Sequence, residues 1–182
     1  MASRRASGRA KILKSKILYE GKIFSLRQER VSEPGAVVAT RDIVVHRGSV
    51  VVLPVFPDGR VLLVRQYRHA IGSFLWELVA GRVEPGESKP AAARRELIEE
   101  TGYTARRVSQ MLEIFPSPGF ITERMWIFLA TGLQQGLAQP EEDERITPEM
   151  FQLTALEKMI RQGKLHDAKS VAAILFYSRF LK

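Results

Sequence analysis

The alternation of apolar and polar positions divides the chain into a small strand-rich front and a longer mixed body. Within residues 17–47, Ile17-Leu18-Tyr19 runs into a turn at Glu20-Gly21. Residues 23–30, a break at Glu33-Pro34-Gly35 and residues 37–45 then read as two further antiparallel strands. So short a unit needs a partner surface to be stable. Residues 49–56, SVVVLPVF, form an unbroken apolar run, the pattern of a strand buried on both faces. Pro57-Asp58-Gly59 predicts a turn into residues 60–66, RVLLVRQ, and hence a hairpin. FLWELV at 74–79 reads as one further strand, and 108–115, 124–130 and 146–153 as three more. Two helices close the chain, 154–162, stopped by Gly163, and about 168–181. Trp76 and Trp126, each inside an apolar run, are expected in the core. Strands around helical regions predict an α+β or sandwich arrangement.

Between the third body strand and the fourth lies GRVEPGESKPAAARRELIEETGY, residues 81–103, which reads as a loop feeding a helix. Gly81, Pro85 and Gly86 make the loop, Ser88 is a plausible N-cap, Pro90 is tolerated in the first turn and Gly102 is a natural stop. At 3.6 residues per turn Ala93 and Leu97, with Pro90, form the packing side. Glu96 and Glu100 share the neighbouring side, Glu99 lies beside them, and the loop can fold Glu87 back towards the same place. Like charges at i,i+4 repel, and Arg95, four residues before Glu99, relieves part of this. An all-oxygen cluster of this kind suits a hard divalent cation, Mg²⁺ or Mn²⁺, rather than zinc. RELIEE alone is equally the pattern of a solvated helix face.

Composition narrows the partners. The chain has 182 residues and a formal net charge of +8. Six of its 28 Lys and Arg residues (Arg4, Arg5, Arg9, Lys11, Lys14, Lys16) precede Glu20 with no acid among them, so the remainder carries 22 basic against 20 acidic residues. The basicity therefore reads as a flexible tail over 1–16, a transit peptide or polyanion tether being the alternatives, and no specific nucleic-acid partner is expected. Residues 17–47 form a separate β unit and 48–182 the main domain. No run approaches the roughly 18 to 20 apolar residues that span a bilayer, so no membrane partner is expected. Zero cysteines exclude disulfides, zinc–thiolate sites and a thiol nucleophile, and His46, His69 and His166 are far apart in sequence. A reducing cytoplasm is the expected location.

Gly81, Glu87, Arg95-Glu96-Leu97, Glu99-Glu100 and Gly102, at their spacings, resemble the Nudix box, with Tyr103 standing where that family usually has an aliphatic residue. The resemblance implies a Nudix fold, a mixed sheet sandwiched between helices. Arg65-Gln66-Tyr67-Arg68, FLWELVAGR, Ser117-Pro118-Gly119-Phe120 with Glu123, and Asp167-Ala168-Lys169-Ser170 are similar to the ADP-ribose pyrophosphatase branch. That likeness implies Mg²⁺-dependent hydrolysis of a nucleoside diphosphate-linked moiety, first of all ADP-ribose to AMP and ribose 5-phosphate. It also implies a homodimer built through 17–47. The implied metal ligands are Glu96, Glu100, the carbonyl of Ala80 and Glu99. Arg95 would orient the glutamates and Glu87 support the site. Glu144 would be the general base, with Glu142 or Glu99 behind it. Arg41, Arg68, Pro118 and Glu123 would meet the substrate. GDP-mannose or another nucleotide sugar is the alternative substrate. A non-catalytic nucleotide sensor that regulates transcription is an alternative of another class, and RNA-cap removal is favoured by the basic tail alone.

Overall fold

The computed structural model describes residues 8–137 and 145–182. They divide into two compact units, Met1–Arg47 with Ser117–Glu123, and Gly48–Pro116 with Arg124–Lys182.

The first unit is an antiparallel meander of β1 (Lys11–Glu20), β2 (Phe24–Glu33) and β3 (Val37–His46), in that order. Ser117–Glu123 lies along β3: the Val44 N–H donates to the Phe120 carbonyl at 2.8 Å, and the Thr122 N–H to the Val44 carbonyl at 2.9 Å. The meander was expected, but β1 begins at Lys11, inside the stretch that charge alone assigns to a tail. KILKSK is an edge strand, where lysines discourage pairing with other chains, and it takes its register from β2, Lys16 facing Gln28.

The second unit holds β4 (Ser49–Pro54), β5 (Arg60–Arg68), β6 (Ser73–Glu77), β7 (Val79–Arg82), α1 (Lys89–Thr101), β8 (Tyr103–Ile114), β9 (Met125–Gln135), β10 (Ile146–Gln152), α2 (Leu153–Arg161) and α3 (Ala168–Phe180). Two sheets form: a mixed one ordered β7-β4-β9-β8, with β4 and β9 parallel, and an antiparallel one ordered β10-β5-β6. Every residue of β4 is buried, and its alternation feeds two cores. Val50 and Val52 pack with Ala92, Ala93 and Leu97 of α1. Val51 and Leu53 pack with Leu153 and Leu156 of α2 and Ala173 and Ile174 of α3. Strands between helices, the α+β arrangement expected, are the result.

Two expectations fail here for one reason. The turn at 57–59 exists, with the Gly59 N–H on the Phe56 carbonyl at 2.9 Å. β4 and β5 nevertheless share no ladder: Val55, just beyond β4, bridges to Val61, and the two strands enter different sheets. FLWELV is likewise two strands: Glu77 ends β6 opposite Val64, and Val79 opens β7 opposite Val52. An apolar run tells how buried a strand is and says nothing about which strand it pairs with. Among the described residues no helix is long and apolar enough to cross a membrane.

Candidate metal and active site

Helix α1 starts where its chemistry says it should. The Ser88 Oγ accepts the Ala91 N–H at 3.3 Å, satisfying one of the orphan donors of the first turn. Gly102 ends the helix in the left-handed region, φ 74°, its N–H on the Ile98 carbonyl. Ala93 and Leu97 are buried as expected and Ala92 is buried beside them, while Pro90, expected on the same side, is exposed in the first turn. That packing holds Glu96 and Glu99 half-buried and Glu100 buried.

Arg95 is the hub of the cluster. Its Nε and Nη2 donate to the two carboxylate oxygens of Glu87, both at 3.1 Å. Its Nη1 donates to Glu96 at 2.7 Å and to Glu99 at 2.8 Å, and Nη2 also reaches the Arg82 carbonyl at 2.9 Å. One rigid fork of donors therefore fixes three carboxylates and the strand end before the loop. Hydrogen bonding to Glu87, ahead of the opposing effect of burial, pushes the guanidinium further above its ordinary value. The reciprocal bond holds the Glu87 carboxyl below the usual carboxylate range. Sequence spacing gave Arg95 partial relief of the repulsion; the fold lets it serve Glu87, Glu96 and Glu99 together.

Gly81 is the second constraint. It pairs with Val50 and follows Ala80, which pairs with Val51. A Cβ on Gly81 would lie 1.9 Å from the Glu96 carboxyl carbon, so only glycine lets β7 lie against that carboxylate. Among the described residues no three His, Asp or Glu side chains already converge as a cation cage; Arg95 takes the Glu96 and Glu99 oxygens instead. The donors available nevertheless fit a hard divalent ion: the carboxylates of Glu96, Glu99 and Glu100, the Ala80 carbonyl on the adjoining strand, and a Gly81 cradle that a methyl group would fill. Tyr103, the residue departing from the expected box, is buried and packs edge-on against Phe56 at 5.4 Å.

A second charged cluster escaped the sequence reading. Arg68 on β5 clasps the buried Glu77 with Nε and Nη2, both at 2.7 Å. Lys169 of α3, also buried, bonds the same carboxylate and sits 3.0 Å from Asp167. Burial pushes the Glu77 carboxyl up, but Arg68 and Lys169 together outweigh it and hold it below its ordinary value. The hydrogen bond to Glu77, then the negative charges of Glu77, Glu100 and Asp167 against the opposing effect of burial, raise Arg68. The one available signal was Glu77 itself, a charged residue in an otherwise apolar strand.

Arg41, Pro118 and Glu123 belong to the first unit. Arg41 is exposed and gives Nε and Nη2 to Glu33 at 2.9 and 3.1 Å. Pro118 is exposed in a turn closed by the Ile121 N–H on the Ser117 carbonyl. Glu123 lies 3.5 Å from the His46 Nδ1. Glu142 and Glu144 lie outside the described residues.

The NUDIX domain family matches residues 45–174. The chain is 35% identical over 161 residues, 87% of each chain, to an ADP-ribose pyrophosphatase of Bacillus subtilis (strain 168). It is 31% identical over 170 residues, 91% of each chain, to a methanol dehydrogenase activator of Bacillus methanolicus. The fold superposes on the crystal structure of an ADP compounds hydrolase with a TM-score of 0.84, at 21% identity, covering 98% of this chain and 97% of the other.

Proposed function

The chain belongs to the Nudix family, and from that premise we propose that it hydrolyses ADP-ribose to AMP and ribose 5-phosphate in a divalent-metal-dependent reaction. The single observation that carries this reading is the α1 cluster, in which Arg95 holds Glu87, Glu96 and Glu99 and the Glu96 carboxylate lodges against Gly81. Mg²⁺, or Mn²⁺ in its place, would be held by Glu96, Glu100, Glu99 and the Ala80 carbonyl. When bound, such an ion supplies charge neutralisation at the diphosphate and a more acidic water. Phosphoryl chemistry of this kind needs positioning and electrostatics more than a protein nucleophile.

The chain's own groups divide the remaining work. Arg95 holds Glu87, Glu96 and Glu99 at fixed angles, so the oxygens are in place before substrate arrives. Carboxylates committed to a cation are poor proton acceptors, so the proton of the attacking water goes to Glu144, with Glu142 as the lesser candidate and Glu99 a candidate only where it stays off the ion. Arg68 and Arg41 each commit Nε and Nη2 to a carboxylate, which leaves Nη1 as the atom that would meet a diphosphate oxygen. Pro118 and Glu123 would shape the substrate contact from the 117–123 loop.

The first unit supports a homodimer. Ile12, Leu13, Ile17, Leu18, Tyr19, Phe24, Val37 and Val38 on its three strands, and Ile23 in the bend before β2, are all exposed large apolar residues, more than a small isolated sheet leaves in water without a partner. The chemistry and the absence of cysteine suit a reducing cytoplasm. A second reading, activation of a partner enzyme, is favoured by the likeness to the methanol dehydrogenase activator. The test is a panel of ADP-ribose, GDP-mannose, NADH, diadenosine polyphosphates and capped RNA, each with Mg²⁺, followed by AMP or GMP release. Fastest turnover of ADP-ribose supports the proposal; GDP-mannose as the best substrate overturns its specificity, and turnover of none overturns hydrolysis.

A further inference from the structure

Between Glu77 and Val79 the backbone leaves one sheet and enters the other, and Leu78 belongs to neither ladder. A buried backbone donor without a ladder partner is costly. Leu78 is fully buried, and its N–H is taken by the Ser170 Oγ of α3 at 2.7 Å. Ser170 is itself completely buried and fixed, its N–H donating to the Asp167 carboxylate at 3.1 Å in the N-cap of α3. One residue earlier, Lys169 bonds the Glu77 carboxylate that Arg68 also clasps. Two consecutive residues at the start of α3 therefore grip the two consecutive residues at the crossing, 92 positions away in sequence.

The crossing stands immediately before the strand that matters. Val79 opens β7, and Ala80 and Gly81 follow, with Gly81 against Glu96. A shift of the crossing by a fraction of an ångström is carried directly into β7, because among the described residues its four residues have one neighbouring strand, β4, to hold them. Charged groups are an expensive way to hold a core together, since apolar side chains of similar volume do so without desolvating ions. Four ionised groups and a buried hydroxyl at this one crossing instead fix direction and register.

We propose that Lys169 and Ser170 are positioning residues for the metal site: by gripping Glu77 and the Leu78 amide they set the place of the Ala80 carbonyl and of Gly81 against Glu96. This rests on the reading that Ala80 and the α1 glutamates hold the ion, and the experiment separates the two. Mn²⁺ binding to the full chain is followed by the loss of the free-ion paramagnetic resonance signal, beside thermal unfolding, for Ser170→Ala, Lys169→Met, Lys169→Arg and the control Glu100→Gln. Outer residues that orient ligands typically change metal affinity by about 10- to 100-fold. Ser170→Ala and Lys169→Met are expected to weaken Mn²⁺ about 10-fold, with Lys169→Arg recovering most of it. Ser170→Ala leaves every charge in place, so it carries the test where Lys169→Met folds poorly. Lowered melting temperatures with wild-type Mn²⁺ affinity in folded Ser170→Ala overturn the proposal while Glu100→Gln still loses the ion. Unchanged affinity in Glu100→Gln overturns the metal-site reading, and the positioning role with it.

Discussion

Gly81→Ala separates the cost to the fold from the cost to the chemistry. The new methyl carbon would stand 1.9 Å from the carboxyl carbon and Oε1 of Glu96 and 2.2 Å from Oε2. Contacts under 3.0 Å are essentially never seen for a real Cβ, so the carboxylate must retreat by at least about 1.1 Å, the difference between 3.0 and 1.9 Å. Gly81 is not in the left-handed region, so alanine adds no backbone strain there. The obstacle is the far end of a flexible side chain, and moving it loosens the Arg95–Glu96 pair, worth up to about 1 kcal/mol, and forces an off-rotamer χ at about 0.5–1.5 kcal/mol. The lower chain entropy of unfolded alanine returns about 0.4–1 kcal/mol. The balance is a loss of no more than about 1–2 kcal/mol, or a few degrees in melting temperature for a chain of this size. A ligand displaced by about 1 Å costs on the order of 10²-fold in rate. Calorimetry together with AMP release from ADP-ribose under saturating Mg²⁺ gives both numbers. A variant that turns over at the wild-type rate refutes the reasoning, as does one whose activity falls only as its folded fraction falls.

Glu144→Gln is expected to lower kcat by about 10² to 10⁴-fold with little change in metal or substrate affinity, and Glu142→Gln by less; equal small losses at both assign the base to Glu99 or Glu87, and a rise in KM with kcat intact makes Glu144 a binding residue. Glu77 titrates below its ordinary 4.5 in the folded chain, so its stabilisation is present above pH 4.5 and is lost as pH falls through the lower folded value. The melting-temperature gap between wild type and Glu77→Gln should therefore narrow as pH falls below about 4.5, and a gap constant from pH 7 to 3 contradicts this. Light scattering at micromolar concentration should give a homodimer; a fully active monomer removes the role proposed for β1–β3.

How much was legible depended on how local the cause was. The α1 region was readable because its cap, stop, packing face and acidic stripe are all set within 23 residues at fixed spacing. Gly81 was part of that pattern, but its reason, the Glu96 carboxylate, appears only once β7 lies on the helix. The separation of β4 from β5 was not readable, since both are apolar on two faces and the choice of partner is made by β9 and β10, far along the chain. Lys169 stands at the start of the helix expected over about 168–181, but its burial depends on Glu77, 92 residues earlier. β1 was misread at its start because lysines on an edge strand and lysines in a tail give the same composition.

The central claim is that hydrolysis of ADP-ribose runs on a divalent ion held by the α1 glutamates, and Glu100 is the sharpest place to ask. The measurement is AMP release from ADP-ribose by wild type and Glu100→Gln across an Mg²⁺ titration, with an EDTA arm and a melting curve for each protein. A metal site supplies several kcal/mol of transition-state stabilisation, so the account predicts no turnover in EDTA and a loss of at least about 10²-fold in the variant, both proteins folded. Full turnover in EDTA, or a folded Glu100→Gln that keeps the wild-type rate and Mg²⁺ dependence, contradicts it.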